Sequence, residues 1–181
     1  VLPENNSDIA QVYYDIGSVY LSKSEHDKAL EFYFKASAIV NEFLNKNNNY
    51  GALICSNIAI VLLHKAKYDE ALKYFFKAVE IRKYILPDNH PEIAFIYNNI
   101  GAAFKSKGEY NKALEYLLKY LKMIEGVLPE NHPEIAKAYD TIGSILGEKG
   151  EIDKALEYLF RSLEIIKKNL TRKSSWYSRN L

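Results

Sequence analysis

Apolar residues along this chain fall into a pattern that returns every 42 residues. Leucines stand at Leu2, Leu44, Leu86, Leu128 and Leu170, and the pair Ala-Leu returns at Ala29-Leu30, Ala71-Leu72, Ala113-Leu114 and Ala155-Leu156. Within one period the apolar positions split into two stripes with three-and-four spacing, the mark of two amphipathic helices. In the third period Ile93, Ile96, Tyr97, Ile100 and Phe104 make the first stripe, and Tyr110, Ala113, Leu114, Leu117, Leu118 and Leu121 make the second. Pro91 suits the first turn of a helix, where its missing N–H costs nothing, and Asn89 or His90 is placed to cap that end. Lys107-Gly108-Glu109 then breaks the pattern, with Gly108 where a helix end favours a left-handed residue. Gly150 holds the same place in the fourth period, and Ser24 and Ala66 hold it in the first two. These signals predict helices over roughly 7–23, 26–43, 49–65, 68–85, 91–107, 110–127, 133–149 and 152–169.

Four units follow, approximately 1–43, 44–85, 86–127 and 128–169, with no insertion between them. Units three and four open on nearly the same phrase, Leu86-Pro87-Asp88-Asn89-His90-Pro91-Glu92 and Leu128-Pro129-Glu130-Asn131-His132-Pro133-Glu134. Unit one keeps its start as Leu2-Pro3-Glu4-Asn5, and unit two has drifted to Leu44-Asn45-Lys46-Asn47-Asn48. Helix pairs stacked in this way bury a continuous core between neighbours, and three or more are needed for stability. The tail, residues 170–181, leaves the pattern after Leu170 and includes Trp176. It is expected to cap the last helix or to begin a further, degenerate repeat, docking on another copy being the remaining role.

Charge removes some partners from consideration. Lysines and arginines number 24 against 23 acidic residues, a net of +1, and the two signs are interleaved. No field of one sign is present to hold nucleic acid or an anionic membrane surface. No apolar run approaches the roughly 18 residues that span a bilayer, so no membrane insertion is expected. Val1-Leu2-Pro3-Glu4-Asn5 lacks the basic start and apolar run of a signal peptide, and a first residue other than methionine suggests excision from a longer chain. A lone cysteine, Cys55, calls for no oxidising compartment. A cytoplasmic location is expected.

Candidate chemistry changes the picture little. His90 and His132 recur in register, which fits helix capping better than metal binding, and His26 and His64 complete the set. Cys55 falls on an apolar stripe and has no base and orienter beside it in the pattern, as a nucleophile needs. No glycine-rich phosphate loop is present, and the carboxylates lie on Glu-Lys-rich faces. No catalytic residue, metal site or cofactor is expected, and the tyrosines, 15 in all, fall mostly on the repeat stripes.

The stripes carry a recognisable signature. Unit one has Tyr13, Ile16-Gly17 and Tyr20 on its first helix, with Ala29, Tyr33 and Ala36 on its second. Unit two has Cys55, Ile58-Ala59, Leu62, Ala71, Phe75 and Ala78; unit three has Tyr97, Ile100-Gly101, Phe104, Ala113 and Leu117; unit four has Tyr139, Ile142-Gly143, Leu146, Ala155, Leu159 and Ser162. This set resembles the tetratricopeptide repeat. The 42-residue length, the Asn-His-Pro-Glu-Ile-Ala opening and Tyr97-Asn98-Asn99-Ile100-Gly101 resemble the repeats of kinesin light chain and related scaffolds. The resemblance implies an all-α fold, a right-handed α-solenoid of four tandem helix–turn–helix units, serving as a protein-interaction module. Tyr120 stands where the family has a small residue, so it is expected to push the packing apart locally or to point along the surface.

The resemblance also implies where a ligand sits: on the concave face, lined by the first helix of each unit. The positions read there are Gln11, Tyr14, Asp15 and Ser18; Leu53, Ser56, Asn57 and Ile60; Phe95, Asn98, Asn99 and Ala102; and Lys137, Asp140, Thr141 and Ser144. The candidate groove residues are Tyr14, Ser18, Ser56, Asn57, Phe95, Asn98, Asn99, Ala102, Lys137, Asp140 and Ser144. Asparagine suits the task because its amide donates to and accepts from a peptide backbone at once. Tyr14 and Phe95 are candidate apolar anchors, while Ile60 and Leu63 fit the core between units equally well. Only Lys105 and Lys137 offer cations for a terminal carboxylate, and Asp140 and Glu148 oppose them, which disfavours a receptor for chaperone tails. The expected function is a scaffold or adaptor that binds a peptide or protein partner. The alternatives are a module that self-associates through its ends or tail into a homo-oligomer, and a regulatory arm of a larger signalling protein or enzyme.

Overall fold

Two prolines in the full repeat phrase decide where a first helix begins. The residue before a proline is pushed out of the helical region, and His90 and His132 accordingly sit extended at φ −68° with ψ 137° and 135°. In the computed structural model of the chain, residues 3–43 and 49–180 are described, with side chains for 6–41 and 49–171. The helices are α1 (Pro3–Ser22), α2 (His26–Phe43), α3 (Asn49–His64), α4 (Tyr68–Ile85), α5 (Pro91–Ser106), α6 (Tyr110–Glu125), α7 (Pro133–Glu148) and α8 (Ile152–Asn180). There is no strand among the described residues. The drifted phrase of unit two at 44–48, and the side chains of the tail from Arg172 onward, lie outside them.

The expected helices are all present, with two differences at the ends of the chain. Unit one has Ser7 where units three and four have their second proline, so nothing interrupts the helix that Pro3 starts, and α1 begins at Pro3 rather than near 7. After Leu170 both prolines are missing, with Thr171 and Ser175 in their places, and α8 runs on to Asn180 instead of stopping at 169.

All four units close their first helix with the same backbone device. Ser24, Ala66, Gly108 and Gly150 take φ of 60°, 56°, 75° and 81°. Each is followed by a residue whose N–H reaches back to the last turn, as in Glu109 N to Phe104 O at 2.9 Å and Glu151 N to Leu146 O at 2.9 Å. Beyond the turn, the paired helices approach until a small residue on one meets a large one on the other. A Cβ on Gly101 would lie 2.6 Å from Leu117 Cγ, and Gly17 faces the buried Tyr33 ring in the same way.

Helices pack in chain order, each unit's pair first and then the second helix of one unit against the first helix of the next. The core is therefore a continuous strip between neighbouring helices, including Tyr33, Phe75, Ile100, Leu117 and Ile142. Polar links cross the same joints. Asp27 pairs with Lys65, Asp69 with Lys107 at 2.6 Å, and the buried Arg82 with Glu92 at 2.7 Å. One of the two expectations for Tyr120 fails: it is 2% exposed, so it does not point along the surface. Its hydroxyl donates to Glu134 Oε2 at 3.0 Å across the joint between units three and four. Burial, and then the hydrogen bond to that carboxylate, raise its phenol well above the ordinary range. The whole is a helical-repeat solenoid.

Candidate functional site

Curvature identifies the inner face. The first helices approach one another directly, α1 meeting α3 and α3 meeting α5, whereas no two second helices are in comparable contact among the described residues. A stack whose first helices lie closer together than its second helices bends toward the first, so α1, α3 and α5 line the inside of the curve, and α7 continues their row by the repeat. The expected groove residues all lie on these helices.

Much of the unit-one and unit-two part of this face is tied up internally. Asn57 Nδ2 on α3 donates to the Tyr14 hydroxyl on α1 at 2.8 Å. Tyr14 also packs on Tyr33, with ring centroids 5.6 Å apart. The Ser18 hydroxyl stands 3.0 Å from Tyr14 O and 3.1 Å from the Tyr33 hydroxyl. Burial pushes the Tyr33 phenol up, and its hydrogen bonds with Ser18 and Asn57 pull the other way. Ser56 bonds its own helix at Ala52 O, 2.9 Å away. Gln11 donates to Asp15 at 2.8 Å, while Ile60, Leu63 and Leu53 are half-buried, the first two packed on the core.

Units three and four differ. The amides of Asn98 and Asn99 are half-buried on α5, yet neither is spent on a hydrogen bond among the described residues. One turn earlier, Phe95 is 50% exposed, with the Tyr120 ring 6.2 Å away to support it. Ala102 is half-buried a turn later, which keeps the face shallow there. On α7, Lys137, Asp140 and Ser144 are exposed, and Thr141 bonds back to Lys137 O at 2.9 Å. Lys105 is paired with Glu148 at 3.4 Å. Tyr110 first, then Lys105 and Ser144, hold Glu148 below the usual carboxylate range.

Elsewhere the histidines cap helices as the phrase implies: the Nδ1 atoms of His90 and His132 accept from Glu92 N and Glu134 N at 3.3 Å and 3.2 Å. His26 and His64 stack with centroids 5.3 Å apart. Cys55 is buried, and burial pushes its thiol up. Among the described residues no group of three His, Cys, Asp or Glu is placed to hold a metal ion, and no helix is long and apolar enough to cross a membrane.

The tetratricopeptide repeat, as a family model, matches residues 8–83, 52–126 and 92–168 in overlapping spans that cover most of the chain. This chain belongs to the tetratricopeptide-repeat family. Solved structures share the fold of its repeats. BtubC (BKLC) from P. vanneervenii is 21% identical with a TM-score of 0.82 over 88% of this chain, which spans 63% of that protein's length. A putative kinesin light chain with nearly identical TPR-like repeats from Podosopora anserina is 18% identical, TM-score 0.78, covering 90% of this chain and 77% of its own. Aspartyl phosphate phosphatase F from Bacillus subtilis is 22% identical, TM-score 0.76, covering 91% of this chain and 42% of its own. No curated protein matches the chain in sequence. The family makes it a protein-interaction repeat module.

Two features escaped the sequence reading. Tyr120 forms the floor beneath Phe95, which the period alone cannot show because it fixes a position and not a side-chain direction. Phe34, Phe76, Leu118 and Phe160 recur in register on the second helices, and all are at least 40% exposed. Their strict recurrence was the available signal for this outer apolar stripe.

Proposed function

We propose that this tetratricopeptide module holds a segment of a partner protein, an extended peptide or a short helix, on its inner face, centred on units three and four. The observation that carries the reading is the pair of half-buried, uncommitted amides of Asn98 and Asn99 beside the exposed ring of Phe95. An aromatic anchor ringed by groups able to bond a peptide backbone is how such interfaces concentrate their energy. Lys137, Asp140 and Ser144 extend the face toward the last unit and offer both signs of charge, which fits a protein better than a nucleic acid. Tyr14, Ser18, Ser56 and Asn57 shape its other end. In this reading residues 1–169 make the array, and the extension of the last helix to Asn180 serves as its cap. A cytoplasmic partner fits this reading.

The test is capture of a partner from native extract by the chain, followed by measured affinity for the captured protein. Replacing Phe95, Asn98 and Asn99 together by alanine is expected to weaken binding by about 30-fold or more, near 2 kcal/mol, with helicity and melting temperature unchanged. Tyr14→Phe is expected to lower stability by about 1 kcal/mol through loss of the Asn57 hydrogen bond and to weaken binding far less than the triple variant does. Equal affinity of the parent and the triple variant removes the reading. Alignment with less than half of the phosphatase's length supports a second reading, in which the array is the recognition arm of a larger signalling protein. The same capture decides it, since a covalently linked domain needs no captured partner.

A further inference from the structure

Unit two breaks a pattern that the other three second helices keep on the outer face. There an acid and a cation one turn apart pair with each other: Glu31 with Lys35 at 2.6 Å, Glu115 with Lys119 at 2.6 Å and Glu157 with Arg161 at 2.7 Å. Each of those cations also lies over a ring of its own helix, 4.7 Å from Phe32, 4.6 Å from Tyr116 and 6.0 Å from Tyr158. Unit two has Lys73 in the place of the acid. Lys73 and Lys77 are exposed, and neither is in an ion pair or over a ring among the described residues. A second ring is missing too: Cys55 stands where units one and four have Tyr13 and Tyr139, which lie 6.0 Å and 5.9 Å from the cations in register with Lys77. Burial raises the Cys55 thiol and the charge of Lys77 draws it down, so Lys77 stands beside a buried side chain that is uncharged at neutral pH. The acids of α4 do not answer the two lysines, since Glu70 pairs with Lys67 at 3.3 Å and Glu80 is in no ion pair among the described residues.

The two free cations occupy a crest between two aromatic pairs. At about 100° per residue, Lys73 and Lys77 share one line of α4, with Tyr74 to one side of it and Phe76 to the other. On the Tyr74 side Phe34 of α2 packs with ring centroids 6.3 Å apart, and on the Phe76 side Tyr116 of α6 packs at 5.7 Å. Phe34 and Phe76 are 43% and 40% exposed, and each is supported by a half-buried tyrosine. Like charges one turn apart on a helix repel, and an anion from outside would relieve them. Exposed rings on both sides of that positive centre fit an acidic peptide with apolar residues around its acid. Two cations are too few for a nucleic acid, whose affinity grows with the number of phosphates neutralised.

We propose that the outer face of unit two is a second docking site, for an acidic peptide segment of a partner protein. The segment crosses α4 with its acid between Lys73 and Lys77 and its apolar side chains on the Phe34–Tyr74 and Phe76–Tyr116 rings. Apolar burial supplies most of the affinity, and the two lysines select an acidic sequence over a neutral one. The site is on the second helices, away from Phe95, Asn98 and Asn99 on α5, so it works independently of the inner face.

Fluorescence anisotropy of the whole chain with short labelled peptides tests this. One panel carries Glu-Glu flanked by leucine or phenylalanine at varied spacing, and a matching panel has glutamine in place of each glutamate. Members of the acidic panel are expected to bind with Kd below about 1 mM, less tightly as salt rises, and their glutamine counterparts about tenfold more weakly. Lys73→Glu restores the acid–cation pair of the other units, so it is expected to keep the melting temperature while weakening binding by about tenfold or more. Phe76→Ala is expected to weaken binding by a similar factor, and the triple variant of Phe95, Asn98 and Asn99 to leave it unchanged. No binding by any acidic peptide, equal binding by the glutamine panel, or full affinity in Lys73→Glu overturns the proposal. Loss of binding in the triple variant, which would assign the peptide to the inner face, or tighter binding of a uridine oligonucleotide overturns it as well.

Discussion

Units one and two and units three and four reach the same geometry by different means. The later pair uses the backbone: glycines at the left-handed turns, and histidine caps before prolines that fix where the helices start. The earlier pair places Ser24 and Ala66 in that left-handed turn and ties up its inner face through side chains. Tyr14 lies on Tyr33 and Asn57 bonds to Tyr14, whereas the contacts of Tyr13 and Tyr20 with Phe32 are common to both halves, returning in unit three as Tyr97 and Phe104 on Tyr116. The difference bears on binding. Asn57 and Tyr14, which hold the early units together, are not free for a partner, whereas Asn98 and Asn99 in unit three are uncommitted.

The two halves meet at Arg82 and Glu92, which gives the strongest way to break the comparison. Arg82 is buried, and its Nη1 has no hydrogen-bond partner, so Glu92 is its chief compensation. Glu92→Ala is expected to cost about 2 kcal/mol, less than the usual 3–5 for a fully buried pair because Glu92 is itself half exposed. Urea unfolding, followed by a probe in each half, should then separate into two steps. Arg82→Met in the same background should recover most of the loss, since it removes the unpaired charge.

Exchanging the turn residues sharpens the comparison at a smaller scale. Ala66→Gly is expected to raise stability by about 1 kcal/mol, and Gly108→Ala to lower it by as much, because only glycine takes a left-handed backbone without steric cost. Chemical denaturation of each single variant measures both. Failure of the pair to move in opposite directions would mean that the turns do not distinguish the halves. The smallest effect is in acid. Glu109 and Glu151 lie between two lysines each, Lys107 and Lys112 or Lys149 and Lys154, whereas unit two has Lys67 at that position. The Lys149 and then the Lys154 hydrogen bond depress Glu151 to about 2 from 4.5. Its favourable contribution is therefore complete above about pH 4.5 and is lost as pH falls through about 2. A carboxyl-carbon NMR titration should find that midpoint, and Lys149→Ala should raise it.

Most of the architecture was legible because the period of 42 and the proline–glycine punctuation fix helix number, order and boundaries. The misplaced boundaries, at Pro3 and Asn180, follow the same rule, since Ser7 replaces the second proline of the phrase in unit one and Thr171 and Ser175 replace both after Leu170. The candidate site was legible only as a set of positions. Repetition says that Asn57 and Asn99 are equivalent, and it cannot say that a tyrosine 43 residues back has already engaged one of them. The surface alternative for Tyr120 fails for a related reason: a large polar side chain at a crowded position was judged by volume, while Glu134 across the joint supplied the hydrogen bond that lets it stay inside.

Packing dominated by neighbours in the chain has a mechanical consequence. Each helix packs mainly on the helices next to it in the chain, with lighter contact between successive first helices, so the molecule is a strip of hinges in series, and a small rotation at each joint adds along its length. Bending the strip closes or opens the inner face without disturbing the core of any one pair. A segment gripped by both α5 and α7 would clamp the hinge between them and leave the earlier hinges free. The array would then respond to load as a spring whose stiffness increases only over the occupied units.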